Sequence, residues 1–141
     1  MSDDKTRIEH MIGHSRRILT MLQDVTAEQF YASQTLIEAV SFNFAVLGEA
    51  AGKVSMELRE KHPAIPWRTV IAMRNFLIHD YVKIRPRYLW ETAQNDLPPL
   101  LGELEAVFSS LGGEPEQVIS TIKKIPTFKP AEEKKAEEKK K

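Results

Sequence analysis

The chain has 141 residues, enough for one domain with a real core, and its 42% apolar and 28% charged content is ordinary for a globular protein. It contains no cysteine, which excludes a disulfide framework and a thiolate zinc site, and its formal net charge of zero argues against a general nucleic-acid sponge. Ile8, Met11 and Ile12 are spaced apart by charge, unlike the core of a secretory leader, and no apolar run is long enough to span a bilayer. A soluble, cytoplasmic protein is therefore expected.

A first helix is predicted over residues 2–24. Ile8, Met11, Ile12, Ser15, Ile18, Leu19 and Leu22 recur at three- and four-residue spacing and line up one stripe. Ser2, Asp3 and Asp4 suit a helix start, where free N–H groups need acceptors. Thr26 and Gln29 stand at capping-box spacing and predict a short helical turn through Tyr31. A long helix is then predicted over residues 33–61, carried by Leu36, Ile37, Val40, Phe44, Leu47, Ala51, Val54 and Leu58, with Asn43, Gly48 and Glu49 interrupting its face.

The run HPAIPW, residues 62–67, reads as a turn. Pro63 stops the helix before it, and Pro66 suits the first position of the next. That next helix is predicted over residues 67–81, with Val70, Ile71, Arg74, Leu77, Ile78 and Tyr81 on one face. Residues 84–87, Ile-Arg-Pro-Arg, break the chain, and a further helix starts near Pro86 with Tyr88, Leu89, Trp90 and Ala93. Pro98 and Pro99 either kink it or restart it. Leu100, Leu101, Leu104, Val107, Phe108 and Leu111 carry the pattern to a stop at Gly112 and Gly113. Beyond that, residues 115–124 predict one weak helix with Val118, Ile119 and Ile122, and AEEKKAEEKKK reads as a solvated, disordered tail. No segment alternates like a strand and no repeat is present. The expectation is an all-α, up-and-down bundle of four to five helices over residues 1–113, with a weakly structured charged tail over residues 114–141.

The octapeptide RNFLIHDY, residues 74–81, is the unusual stretch. It places a guanidinium, an imidazole and a phenol at the end of a helix that otherwise reads as core. Five helical steps set Arg74 and His79 about 140° apart, whereas Tyr81 returns to the face of Arg74. The three converge only if the helix unwinds near its end or if two copies of the chain meet there about a two-fold axis. Around the octapeptide, Arg68, Arg74, Lys83, Arg85 and Arg87 are opposed by Asp80 alone, a local excess of +4 over residues 67–90.

Such a cleft has definite chemistry. Histidine exchanges protons near neutral pH. Arginine offers a fork of donors matched to a phosphate and to the charge of a phosphoryl transition state. Together they suffice for metal-independent RNA cleavage: the 2′-hydroxyl attacks the adjacent phosphorus with help from His79, and Arg74 steadies the phosphorane. DNA, lacking the 2′-hydroxyl, is inert to this route. The plain alternative is that Arg74 caps a helix end, His79 fills a gap and Tyr81 is half-buried core, and spacing alone favours it.

Context changes the balance. The chain resembles the HepT-like branch of the HEPN superfamily over roughly residues 8–108. The resemblance is carried by AVSFNFAVLGEAAGKVS from Ala39, LREKHPAIPWRTVIAMRNFLIHDY from Leu58 and LWETAQNDLPPLLGELE from Leu89. The branch motif is R-x-x-x-x-H-x-Y with a polar residue after the arginine, which Arg74, Asn75, His79 and Tyr81 satisfy. The resemblance implies a HEPN-like helical bundle that forms a homodimer, and an endoribonuclease site in the dimer cleft without metal or other cofactor. Arg74 and His79 are then catalytic, and Asn75 and Asp80 support them. It further implies a toxin of a type VII-like toxin–antitoxin pair, whose minimal nucleotidyltransferase antitoxin transfers AMP to Tyr81. A negatively charged adduct there would occupy Arg74 and the space RNA needs. The alternative within the same resemblance is a catalytically silent HEPN binding module that partners a nucleotidyltransferase.

Other residues carry weaker signals. Lys83, Arg85 and Arg87 suit RNA phosphates, or form a solvated basic loop. Asp80 orients His79 or repels RNA. Gly48 and Glu49 allow close helix approach and turn a carboxylate toward the cleft, or Glu49 is a satisfied buried acid; it is not read as catalytic. Asn43 is read as structural. His10 and His14, four apart, have no third metal ligand and read as a solvated face. His62 reads as exposed in its turn. Trp67 and Trp90 read as packing residues.

Overall fold

In the computed structural model, which describes residues 3–118, the chain is all-helical. Helix α1 spans Asp3–Met21 and buries Ile8, Met11, Ile12 and Ile18. It stops three residues short of the expected end because Asp24 takes a left-handed backbone (φ 62°), a conformation that a short polar side chain tolerates. Ser2, the other expected cap, lies outside the described residues.

Helix α2, Ala27–Tyr31, begins with the capping box. Thr26 Oγ1 accepts from the Gln29 amide at 3.1 Å, and Gln29 Oε1 accepts from the Thr26 amide at 2.9 Å. Phe30 is buried beneath it, with its ring centroid 5.6 Å from that of Trp90.

The long helix expected over residues 33–61 is two helices. Helix α3 runs Gln34–Gly52, with the Ser33 hydroxyl accepting from Leu36, and helix α4 runs Met56–Lys61. The break is fully provisioned. Ser55 caps α4 through its hydroxyl, and Asp4 of α1 accepts from both the Ser55 amide (2.9 Å) and its hydroxyl (2.6 Å). Arg59 reaches back to the carbonyls of Gly52 (2.8 Å) and Val54 (3.0 Å), which would otherwise be orphaned at a helix end.

Helix α5, Trp67–His79, follows Pro66 and ends two residues before the expected Tyr81; a single 3-10 turn, Tyr81–Lys83, leads out of it. Helix α6, Pro86–Glu91, continues through a π-helical turn, Thr92–Asp96, into helix α7, Leu97–Ser110. Pro98 and Pro99 stand in the first turn of α7, so the helix restarts there, after the π-helical turn, as one of the two expected outcomes. Pro98 and Pro99 have no N–H to donate. The ladder slips by one residue just before them, so that the Leu97 amide bonds Thr92 O, five residues back. Helix α7 stops as expected: Gly112 takes φ 84° and the Gly113 amide closes on Phe108 O at 2.9 Å.

Helix α3 sits at the centre, packed on α1 along one side and α5 along the other, while α7 covers α1. The core is the row of side chains between these four, including Phe44, Leu47, Leu104 and Phe108. On α5 the buried stripe is Trp67, Val70, Met73 and Leu77. Ile78, expected to share it, is turned outward and 47% exposed, because it stands a full helical step of about 100° beyond Leu77. After Gly113 the chain stays on the bundle as far as described: Arg16 donates to Pro115 O at 2.7 Å, and Val118 is buried. The remainder of the expected weak helix and the charged tail lie outside the described residues. No helix of the described residues is long and apolar enough to cross a membrane.

Candidate functional site

The octapeptide sits at the outer end of α5, and one glycine sets how close it lies to α3. A Cβ on Gly48 would fall 2.7 Å from Arg74 Cβ and 2.7 Å from Val70 O, so only glycine lets the α3 backbone rest against the base of the Arg74 side chain. The residue after it completes the contact. Glu49 Oε2 forms an ion pair with Arg74 Nε at 3.1 Å, and its other oxygen lies 3.7 Å from Lys53 Nζ, one turn further along α3. Asn75 Oδ1 accepts from Arg74 Nη1 at 3.1 Å. Arg74 thus has its stem against a glycine, its Nε on a carboxylate and one terminal nitrogen on an amide. Glu49 is not a satisfied buried acid: it is about half-exposed, beside a guanidinium that is one-third exposed.

His79 is the last residue of α5 and is exposed, and its side chain makes no hydrogen bond to any described group. The helix keeps its form through His79, and Asp80 follows as the cap, its amide bonding Phe76 O at 2.9 Å and its carbonyl accepting from Lys83 at 2.8 Å. Unwinding therefore does not bring His79 round to Arg74 within one chain. The Asp80 carboxylate makes no ion pair or hydrogen bond among the described residues. Tyr81 opens the 3-10 turn, and its side chain lies outside what is described.

The basic cluster is less free than the sequence count implies. Glu49 engages Arg74, and Glu91 engages Arg87 Nε at 2.9 Å, which raises the Arg87 pKa further above its ordinary value. Arg68, Lys83 and Arg85 have no ion-pair partner among the described residues. Lys83 and Arg85 line a shallow groove beside the motif together with Phe76, Val82, Ile84 and Tyr88. A second cavity, about 440 Å³, lies between α3, α5 and the π-helical turn and is mostly apolar; Asp96 and Glu103 are its charged groups, a poor match for a polyanion. In and after the motif, Ile78 and Val82 are 47% and 82% exposed, and Phe42 on α3 is 64% exposed.

The weaker candidates sort themselves. His14 is not on a solvated face. It is half-buried, and its Nδ1 lies 2.8 Å from Asn43 Oδ1, whose amide nitrogen donates to Ala39 O. That arrangement puts the proton on Nδ1. Burial is the main cause that lowers the His14 pKa; the Asn43 bond opposes it, and nearby Arg17 and His10 add to the lowering. No group of three or more His, Asp or Glu among the described residues is arranged to hold a metal ion. His62 is partly buried rather than open, and its carbonyl accepts from Trp67 Nε1 at 3.0 Å; Trp67 and Trp90 pack as expected.

The Ribonuclease HepT-like family matches residues 11–107 of this chain. Curated relatives include the Thermococcus cleftensis protein named "Probable ribonuclease HepT", 34% identical over 59% of this chain and 76% of its own length. The Methanocaldococcus jannaschii protein named "Putative RNase MJ0125" is 30% identical over 77% of this chain and 94% of its own. The Caldanaerobacter subterraneus protein named "Putative RNase TTE0752" is 27% identical over 76% of this chain and 96% of its own. No solved structure gives a significant match. The match spans α1 through α7, including Gly48, Glu49 and the octapeptide at the end of α5, and the chain belongs to the ribonuclease HepT-like family.

Proposed function

We propose that this protein is a metal-independent endoribonuclease acting as the toxin of a toxin–antitoxin pair. Two copies of the chain assemble with their α5 ends together, and the shared cleft binds RNA. His79 takes the proton of a ribose 2′-hydroxyl. The 2′-oxygen bonds the adjacent phosphorus, Arg74 carries the extra charge of the phosphorane, and the P–O5′ bond breaks to leave a 2′,3′-cyclic phosphate. The imidazolium so formed returns the proton to the departing 5′-oxygen. Lys83 and Arg85 hold flanking phosphates, and Asn75 keeps Arg74 in place.

The observation that carries this reading is the state of the two motif side chains: His79 exposed and unengaged at a helix end, and Arg74 anchored through two of its nitrogens beside an open surface. Structural residues are ordinarily satisfied and covered; these are presented. Support for the dimer comes from the regular helix through His79, which keeps the pair apart in one chain, and from the exposed apolar Ile78 and Val82 next to it in sequence. The motif tyrosine supports a regulatory step. A nucleotidyltransferase partner passes AMP from ATP to Tyr81: the phenol oxygen bonds the α-phosphorus, pyrophosphate leaves and the phenol proton goes to solvent. The adduct competes with RNA for Arg74. RNA as substrate and a nucleotidyltransferase as partner place the protein in the cytoplasm.

The test is cleavage of RNA by purified protein in EDTA. Wild type cuts and leaves a cyclic or 3′ phosphate, and substrate with 2′-deoxyribose at the cut site stays intact. His79→Ala lowers the rate by roughly 100-fold or more while the helical spectrum is unchanged. Equal cleavage by wild type and His79→Ala removes His79 from the acid–base role. Intact RNA with a stable wild-type dimer points instead to the silent binding module.

A further inference from the structure

We propose that Glu49 is a positioning residue of the ribonuclease site, fixing the Arg74 guanidinium so that one edge stays open to a phosphodiester. The proposal rests on the ribonuclease reading above and adds to it a residue that touches neither RNA nor the reacting atoms.

Donor accounting gives the geometry. An arginine has five N–H donors. Arg74 Nε is ion-paired with Glu49 Oε2 and one Nη1 donor goes to Asn75 Oδ1, both at 3.1 Å. Three remain, one on Nη1 and two on Nη2, and they belong to the terminal pair of nitrogens that grips a phosphate with two parallel bonds. Glu49 is braced in turn: its second oxygen faces Lys53 Nζ at 3.7 Å. The stem of Arg74 is fixed as well, since the α3 backbone at Gly48 lies against its Cβ. Two consecutive residues of α3 thus hold the foot and the neck of the arginine and leave its terminal fork free.

Stability does not account for this pair. Arg74 and Glu49 keep 33% and 49% of their side chains exposed, and ion pairs at that exposure contribute little to folding. Binding does not account for it either. A carboxylate on the phosphate-gripping arginine repels a polyanion, so it weakens RNA affinity. What the carboxylate supplies is direction: it restricts a long, flexible side chain to the orientation in which its fork meets the phosphorane.

Opposite effects on binding and turnover give the test. Glu49→Ala is expected to lower kcat about tenfold or more while the RNA KM stays level or falls, with the thermal midpoint unchanged. Glu49→Gln, which keeps a side chain of the same shape beside Nε, recovers part of kcat. In an Arg74→Ala background, Glu49→Ala adds no further loss of kcat, because nothing is left to position. An independent readout is the Nε–H resonance of Arg74 in an arginine-detected NMR spectrum: its chemical shift moves and its solvent exchange quickens in Glu49→Ala. A raised KM with unchanged kcat, or a full additional loss in the Arg74→Ala background, overturns the proposal. An Arg74 signal identical in wild type and Glu49→Ala overturns it whatever the RNA does. Failure of wild type to cut RNA in any condition defeats the ribonuclease reading instead, and the NMR comparison then reports separately on whether Glu49 holds Arg74.

Discussion

His14 and His79 carry the same imidazole into opposite surroundings. His79 ends α5 in solvent, whereas His14 is half-buried between α1 and α3 with Nδ1 on Asn43. The sequence spacing of His10 and His14 suggests an outward face, yet His14 also lies four residues before Ile18 and three after Met11, beside the buried stripe. What the sequence could not supply was Asn43, which meets it from another helix. The same limit applies at the motif. Arg74, Asn75 and His79 were legible from their order, but the partner of Arg74 depends on how α5 lies along α3, and Gly48 with Glu49 beside it was the local clue. Burial of His14 has a thermodynamic signature. Its folded pKa is depressed below the ordinary 6.5, so the unfolded chain takes up the proton first as pH falls. Stability is therefore full above the ordinary value and declines as pH drops through it towards the folded pKa. Thermal midpoints between pH 7.5 and 5 should fall less steeply in His14→Gln, which keeps a polar partner for Asn43 without titrating. An identical slope in both proteins would place the acid sensitivity elsewhere.

Helix ends divide into those whose signals are local and those whose signals are not. Thr26 with Gln29, Pro86 at the start of α6, and Gly112 with Gly113 after α7 each act within a few residues, and each was readable. The break between α3 and α4 was not. Ala51, Val54 and Leu58 are all buried, so the apolar rhythm runs straight across it, while the side chain that pins the new start is Asp4, 51 residues upstream of Ser55. The π-helical turn hides in a similar way: Pro98 and Pro99 announce a disturbance, but the ladder absorbs it in the residues before them. Packing between elements is most exacting at Gly48. Alanine there places a methyl 2.7 Å from Arg74 Cβ and Val70 O, so α3 and α5 must separate or shift. Overpacking of this kind costs roughly 1–3 kcal/mol, and the thermal midpoint of Gly48→Ala should fall on the order of 5–10 °C. Because the clash is with the base of Arg74, cleavage measured well below the midpoint should fall too. A variant as stable as wild type would mean that the two helices lie further apart than described.

At the scale of the whole molecule, the bundle solves its own burial problem with four long helical runs and leaves a face that does not belong to its core. Phe42 and Glu49 are seven residues apart on α3, and Arg74 and Ile78 four apart on α5, so on each helix an exposed apolar side chain shares a face with one half of the Glu49–Arg74 pair. Val82, in the turn after α5, extends the same end of the molecule. Exposed apolar side chains clustered with polar ones mark a surface that meets a partner. A second copy is the partner that also answers the geometric problem of the motif, since an unbroken helix holds Arg74 and His79 about 140° apart. If the cleft is shared, its residues need not come from one chain. Arg74→Ala and His79→Ala homodimers should each be inactive, but mixing them and allowing subunits to exchange should restore activity, because the hybrid cleft holds one intact guanidinium and one intact imidazole. At statistical exchange half of the dimers are hybrids, so recovery should reach a measurable fraction of wild type and should rise with the rate of exchange. Mixtures that stay as inactive as their parents, despite verified exchange, would confine each Arg74 and His79 to a separate site and would leave the two-fold cleft without a catalytic purpose.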